Sequence, residues 1–279
     1  MTIAKNLSGH MLKGKFRMWL GKFVVDLAFK HLPDRLFASL YNLLCARGRL
    51  RISREGKDWR VTCFGLNSGE WKFPRLSFIT PTPKCLAGGW DEFESKFERF
   101  FKIEPTFACL DVGACMGDST VPMAWKARSV VAMEPEPRNA KYLRLNLANF
   151  NNCAVLEKAA WKEKGQVVFH CYYLPTGHSI EPAKGKERVI IVEADTLDNL
   201  FLGRHFDFVK IDVQAVEVDV LEAGRKFLST VPRLIVETHY RTIPEKRTYP
   251  RVIEILKELG FHTEFAWDNG IIYAWREQC

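Results

Sequence analysis

Apolar positions change rhythm along the chain. Near the start, Leu12, Phe16, Trp19, Leu20, Phe23, Val24 and Leu27 recur at steps of mostly three and four. That spacing predicts one face of a helix, with Lys13, Lys15, Arg17, Lys22 and Asp26 mostly on the other side. A second helix is predicted to open at Pro33-Asp34 and to carry Leu36, Phe37, Leu40, Leu43 and Leu44. Over residues 49–89 the pattern becomes short strands and turns. Residues 49–53 and 59–64 alternate around a turn at Glu55-Gly56-Lys57-Asp58. Pro74, Pro81, Pro83 and Gly88-Gly89 punctuate the rest of that stretch. A helix over 90–102 would gather Phe93, Phe97, Phe100 and Phe101 on one side.

From Pro105 onwards apolar runs alternate with helical spacing. Strands are predicted at 107–112, 129–133, 154–157, 206–211 and 234–237, and helices at 119–126, 137–149, 216–228 and 249–259. An excursion with strands near 167–171 and 189–192 interrupts the order. Strands at 261–266 and 271–275 close the chain. Asp268-Asn269-Gly270 gives them a hairpin turn, so they pair antiparallel. Repeated strand–helix–strand units imply an α/β domain with a mainly parallel sheet and helices on both faces. The expected organisation is a helical and short-strand extension over 1–102 and the α/β domain over 103–279.

Composition narrows the class. The chain has 279 residues, 47% apolar and 27% charged, enough to bury a core. No run of 18 uncharged apolar residues offers a membrane span, and the N-terminus lacks the pattern of a secretory signal. The eight cysteines stand apart without a CxxC pair, so reduced thiols in a cytoplasmic protein are expected, without a structural zinc. The net charge of +8 is uneven. Residues 1–60 hold 13 Lys or Arg against four acids, and the rest holds 28 against 29. A local positive field favours an acidic partner: anionic lipid, nucleic acid or a phosphorylated substrate. The basic amphipathic helix over 10–30 can lie in a membrane interface or pack on the next domain. A nucleic-acid partner is disfavoured by the near-neutral core and the lack of an RNA-binding motif.

The strongest local signal is the stretch Leu110-Asp111-Val112-Gly113-Ala114-Cys115-Met116-Gly117-Asp118-Ser119-Thr120, where a strand should end and a helix begin. Ligands of parallel sheets bind outside such strand ends. Gly113 lets backbone approach a ligand closely, and the N–H groups opening the helix can bind a carboxylate. A dinucleotide fits poorly, because Asp111 would repel a pyrophosphate and the third Gly of GxGxxG is absent. S-adenosyl-L-methionine carries an ammonium and a sulfonium instead, so an acid helps. Glu134, in Met133-Glu134-Pro135 at the end of the second strand, can accept both ribose hydroxyls.

These residues, with others in order behind them, resemble the FkbM family of S-adenosyl-L-methionine-dependent methyltransferases. The resemblance covers about residues 105–240. It is carried by Asp111-Val112-Gly113-Ala114 with Gly117 and Thr120, Glu134-Pro135-Glu136-Pro137 with Asn139, and Leu143, Asn146 and Ala159-Ala160. Gly177-His178-Ser179-Ile180, Thr196-Leu197-Asp198, Asp207 to Val213 with Glu217 and Leu221, and Glu237 with His239 complete it. It implies a Rossmann-like class I methyltransferase sheet and, usually, O-methylation of a small hydroxylated or glycosidic acceptor. Sugar hydroxyls, phosphorylated glycans and lipid-linked glycans are candidates. The cofactor contacts it implies fall on Asp111, Val112, Gly113, Ala114, Gly117, Ser119, Thr120, Glu134, Pro135, Ala160 and Asp212. The family usually has Glu-Gly where this chain has Gln214-Ala215. That departure keeps open a cofactor-binding protein without catalysis, beside the alternative of a nucleic-acid methyltransferase.

For the reaction centre, Phe208, Lys210 and Asp212 share one face of the fourth strand. Asp212 would orient the acceptor hydroxyl or face the sulfonium; equally, it is the obvious counter-charge for Lys210. Glu237 and His239 end the fifth strand on one side. His239 is the first candidate general base, since an imidazole can titrate near neutral pH, and His178 is the second.

Overall fold

The computed structural model describes residues 50–55, 58–63, 69–73, 97–172, 177–182, 188–241, 246–266 and 270–276. The amphipathic helices expected before residue 49, most of the helix expected over 90–102 and the tip of the last hairpin lie outside them. The chain divides into two compact units, Met1–Gly89 and Trp90–Cys279. Among the described residues no helix is long and apolar enough to cross a membrane.

In the first unit, β1 (Leu50–Glu55), β2 (Asp58–Cys63) and β3 (Gly69–Phe73) form an antiparallel meander. Glu55 pairs with Asp58, the first and last residues of the turn expected over Glu55-Gly56-Lys57-Asp58.

The second unit holds the α/β fold. β4 (Ala108–Val112) leads to α1 (Thr120–Lys126), β5 (Ser129–Met133), α2 (Pro137–Asn146) and β6 (Cys153–Leu156). A side sheet comes next, built from β7 (Ala159–Ala160), β8 (Gly165–Cys171) and β9 (Arg188–Asp195) in the order β7-β9-β8. Then come α3 (Leu197–Phe201), β10 (Phe208–Ile211), α4 (Glu217–Ala223), α5 (Arg225–Leu228) and β11 (Arg233–Glu237). A two-residue pairing of β12 (Tyr240–Arg241) with β13 (Lys246–Arg247) precedes α6 (Tyr249–Glu258), β14 (His262–Ala266) and β15 (Ile271–Trp275). The main sheet has the order β14-β15-β11-β10-β4-β5-β6, parallel except for β15. This is the Rossmann-like sheet of class I methyltransferases, with its closing antiparallel strand inserted between β14 and β11.

Strand character tracks burial. β4 and β10 are buried at every position, as central parallel strands covered on both faces must be. Leu110, Val112, Val209, Ile211, Leu234 and Val236 share one core with Val220, Leu221, Phe227, Val252, Ile255 and Leu256 from the helices. Local chemistry sets the helix ends. At α2, the Glu136 carboxylate accepts the N–H of Asn139 at 2.7 Å, and Pro137 takes the first turn, where an N–H is not needed. The single helix expected over 216–228 is divided at Gly224 into α4 and α5. A Cβ there would press on Leu197 at 3.0 Å, so α3 packs where a longer side chain would stand.

Candidate active site

The chain order reverses at β4: β5 lies on one side and β10 on the other, which opens a crevice at the carboxyl ends of the three strands. The crevice takes in about 640 Å³, its open mouth and the solvent there included. Val112, Gly113, Glu134, Pro135, Ala160 and Asp212 line it, as does His178.

The turn after β4 is stitched to β5. Gly113 and Ala114 both donate their N–H to the Met133 carbonyl, at 2.9 and 3.0 Å. Gly113 has φ +82, and a Cβ on it would stand 1.8 Å from the Asp212 carbonyl oxygen, so only glycine fits. The Glu134 carboxylate accepts N–H bonds from Cys115 at 2.8 Å and Glu136 at 2.9 Å, and the Asn139 amide at 3.5 Å. These donors orient it, while burial outweighs them and pushes its carboxyl up to about 8.

Asp111 stands elsewhere than expected. It is wholly buried and does not line the crevice. One of its oxygens accepts the hydroxyls of Ser119 and Thr120, at 2.6 and 2.7 Å, and the other takes the Lys210 ammonium at 3.1 Å. The register of β4 against β10 sets Asp111 directly beside Lys210, the single charged residue of each buried strand. Its charge is therefore answered inside the protein. Asp111, Ser119 and Thr120 hold the turn from behind, and Ala114 and Gly117 also lie off the lining. The acids that the crevice presents are Asp118, Glu134 and Asp212. Asp118 lies within the glycine turn and was legible there; Lys158, ion-paired to Glu193 at 3.0 Å, was not.

On the other rim, Asp212 was expected to neutralise Lys210, but it is the farther partner, at 3.7 Å against 3.1 Å for Asp111. Burial opposes the Lys210 ammonium, and the charges of Asp111 and Asp212 more than restore it. Asp212 meets the amide nitrogen of Gln214 at 2.8 Å, and the same nitrogen lies 2.9 Å from Nε2 of His239. Nδ1 of His239 contacts Oε1 of Glu217 at 2.7 Å. Glu217, a buried acid in the first turn of α4, is the functional neighbour that the sequence did not single out as a site residue. Its Oε1 also accepts the N–H of Ala215 at 2.8 Å, while Oε2 has no hydrogen-bond partner. Burial disfavours the His239 imidazolium, but the Glu217 hydrogen bond and the charges of Asp212, Glu217 and Glu237 prevail, raising it to about 9. The expectation of titration near neutrality is corrected accordingly. Glu237 ends β11 away from the crevice lining and acts on His239 through its charge.

His178 does line the crevice, but not as a base. Its Nδ1 accepts the N–H of Tyr172 at 3.0 Å, which leaves the ring proton on Nε2. Burial pushes the imidazole down to about 4. It is a neutral ring able to donate from Nε2. Its neighbour Ser179 donates its hydroxyl to the Gln214 carbonyl, tying the side sheet to the turn after β10.

The FkbM methyltransferase of Methylobacillus flagellatus KT has 16% identity and a TM-score of 0.48 over 64% of this chain, which spans 46% of that one. A precorrin-6y methyltransferase from Geobacter metallireducens GS-15 has 12% identity and a TM-score of 0.39 over 63% of this chain and 83% of that one. No curated protein matches. Residues 111–263, more than half of the chain and the whole stretch from the β4 turn to β14, match the Methyltransferase FkbM domain, and the chain belongs to that family.

Proposed function

We propose that the chain methylates a hydroxyl of a sugar, glycan or small metabolite, with S-adenosyl-L-methionine as donor. The observation that carries this reading is the acidic crevice: Asp118 and Asp212, joined by Glu134 as its carboxyl ionises toward pH 8, against Lys158, which Glu193 already engages. Such a lining suits a ligand with an ammonium and a sulfonium, and it opposes a pyrophosphate. Glu134, already oriented by two backbone N–H groups, would accept the ribose hydroxyls. Val112, Gly113, Pro135 and Ala160 would pack around the ligand. The cofactor supplies an electrophilic methyl group, and the protein supplies alignment and proton removal.

An acceptor hydroxyl is a weak nucleophile until its proton leaves. Asp212 would orient that hydroxyl, and Nε2 of His239 would take the proton while Glu217 holds Nδ1. His178 would donate to an acceptor oxygen. The basic residues within 10–30 would bring a cytoplasmic protein to an anionic membrane surface or an anionic acceptor.

Calorimetry tests the donor first: S-adenosyl-L-methionine should bind and a nicotinamide dinucleotide should not. A radiolabelled methyl screen over sugar, glycan and nucleic-acid acceptors then tests the transfer. Label on RNA alone would overturn the acceptor class, and cofactor binding without any transfer would favour a chain that has lost catalysis. Sedimentation with anionic vesicles, compared with neutral ones, tests the basic segment.

A further inference from the structure

The turn after β10 holds a contact between four side chains that the fold takes trouble to keep. Gln214 and Ala215 are two successive non-glycine residues in the left-handed region, at φ +54 and +78. Each such residue costs roughly 1–3 kcal/mol unless its surroundings hold it. Ser179 fixes the Gln214 carbonyl and Glu217 fixes the Ala215 N–H. The result aims the Gln214 amide between Asp212 and His239.

The group aimed there must be the nitrogen. An amide oxygen in its place would face the Asp212 carboxylate oxygen at 2.8 Å, acceptor against acceptor. The nitrogen carries two hydrogens, one for Asp212 and one for Nε2 of His239. An Nε2 that receives a hydrogen must itself be bare, so the ring proton sits on Nδ1, pointing at Oε1 of Glu217. We propose that Gln214 is a positioning residue: whenever the His239 ring is neutral, the Gln214 amide nitrogen fixes it as the Nδ1–H tautomer, with Nε2 bare on the side of the crevice. The proposal rests on the reading of His239 as the proton acceptor, although the tautomer itself does not.

The groups that act on His239 make this restraint necessary. Glu217 on α4, Asp212 after β10 and Glu237 at the end of β11 are all carboxylates that favour the imidazolium. Lys210 answers Asp212 only in part, since it lies nearer Asp111. Thr248, before α6, engages the backbone of His239 and leaves the ring alone. The Gln214 amide is therefore the contact that favours the unprotonated Nε2 against three acids. An acceptor hydroxyl would take over the same place, giving its own hydrogen to Nε2.

The test reads the imidazole nitrogens of the whole chain by long-range nitrogen–proton NMR, without cofactor or acceptor, with His239 assigned by its loss in His239→Asn. In the unaltered chain, at a pH above the midpoint of about 9, His239 should show a bare Nε2 and a protonated Nδ1. Gln214→Leu, of similar size without the donor, should raise its midpoint by about one pH unit, a tenfold change in proton affinity. Gln214→Glu should raise it further, and the acid limb of any methyl-transfer profile should move with it. A neutral ring with its proton on Nε2 in the unaltered chain above the midpoint, or unchanged midpoints in both variants, would overturn the proposal. These readings stand apart from turnover. Expected midpoints without any methyl transfer would refute the proposed function alone, whereas methyl transfer with unmoved midpoints would refute only the role of Gln214.

Discussion

The two rims of the crevice are built in opposite ways. The rim at the tips of β4 and β5 closes on itself locally: Glu134 takes donors from residues 115, 136 and 139, and the glycine turn bonds the end of β5. The rim beyond β10 draws on three separate stretches of chain: Gln214 and Glu217 from the turn after β10 and the start of α4, His239 from beyond β11, and Ser179 from a bridge to β8. The first rim is shaped to wait for a ligand. The second stores strain at φ +54 and +78 and leaves a buried Glu217 oxygen without a partner. On the proposed function, the cofactor would meet a locally encoded cradle and the proton would meet a rim gathered from residues farther apart in the chain.

The largest expected effect comes from Gly113, where the two rims meet. Gly113→Ala places a Cβ 1.8 Å from the Asp212 carbonyl at a left-handed φ, so backbone must move. We expect more than about 4 kcal/mol of destabilisation by urea unfolding, or insoluble protein. Gly117→Ala, whose Cβ would meet side chains alone, the nearest being the Leu143 Cδ1 at 3.0 Å, should be milder despite its own φ of +102. Equal losses in the two would mean that the rims are not joined at Gly113.

Next is the ion pair behind the first rim. Asp111→Asn leaves the buried Lys210 ammonium with the Gly113 carbonyl at 3.4 Å and the Asp212 carboxylate at 3.7 Å, and removing one partner of a buried pair costs about 3–5 kcal/mol. Asp111→Asn combined with Lys210→Met should recover most of that loss in the same unfolding assay. A loss of cofactor affinity with stability intact would instead return Asp111 to the crevice.

This pair also shows what the sequence could and could not reveal. The strands themselves were legible, because unbroken apolar runs between Gly, Pro and charged residues have few other readings; 129–133 and 271–275 agree residue for residue. Asp111 and Lys210 were each visible as a lone charge in such a run. Their meeting depends on the register between β4 and β10, 99 residues apart, which no local pattern carries. Sequence neighbours therefore suggested Asp212 for Lys210. Helix α3 has five residues, too few to show a period, and the break at Gly224 depends on what α3 places beside it. Glu217 looked like an ordinary acid favouring a helix N-terminus. Only the fold brings His239 to it.

The first rim should respond to pH through Glu134. Burial raises its folded value to about 8 from an unfolded value near 4.5, so the folded state binds more protons between those limits. Stability from this group is complete below the unfolded value and falls as pH rises through about 8. Cofactor affinity should move the other way, rising through the same window as the carboxylate forms to accept the ribose hydroxyls. Glu134→Gln should remove both slopes and weaken binding about 10- to 100-fold, as for losing hydrogen bonds to a charged acceptor. A calorimetric titration flat in pH for the unaltered chain would show that the ligand does not touch Glu134.

The smallest effect separates strain from contact on the second rim. Ala215 holds φ +78, where an L side chain is crowded and glycine is not, and its side chain makes none of the bonds that position His239. Ala215→Gly relieves that crowding, at some entropic cost because glycine frees the unfolded chain. The net should be a gain of up to about 1 kcal/mol in urea unfolding, since relief at a left-handed position exceeds the entropy lost there. Gln214, by contrast, makes contacts that glycine cannot replace, so Gln214→Gly should not share the gain. If Ala215→Gly destabilised the chain, the strain assigned to this turn would be absent, and the difference between the two rims would lie in their contacts alone.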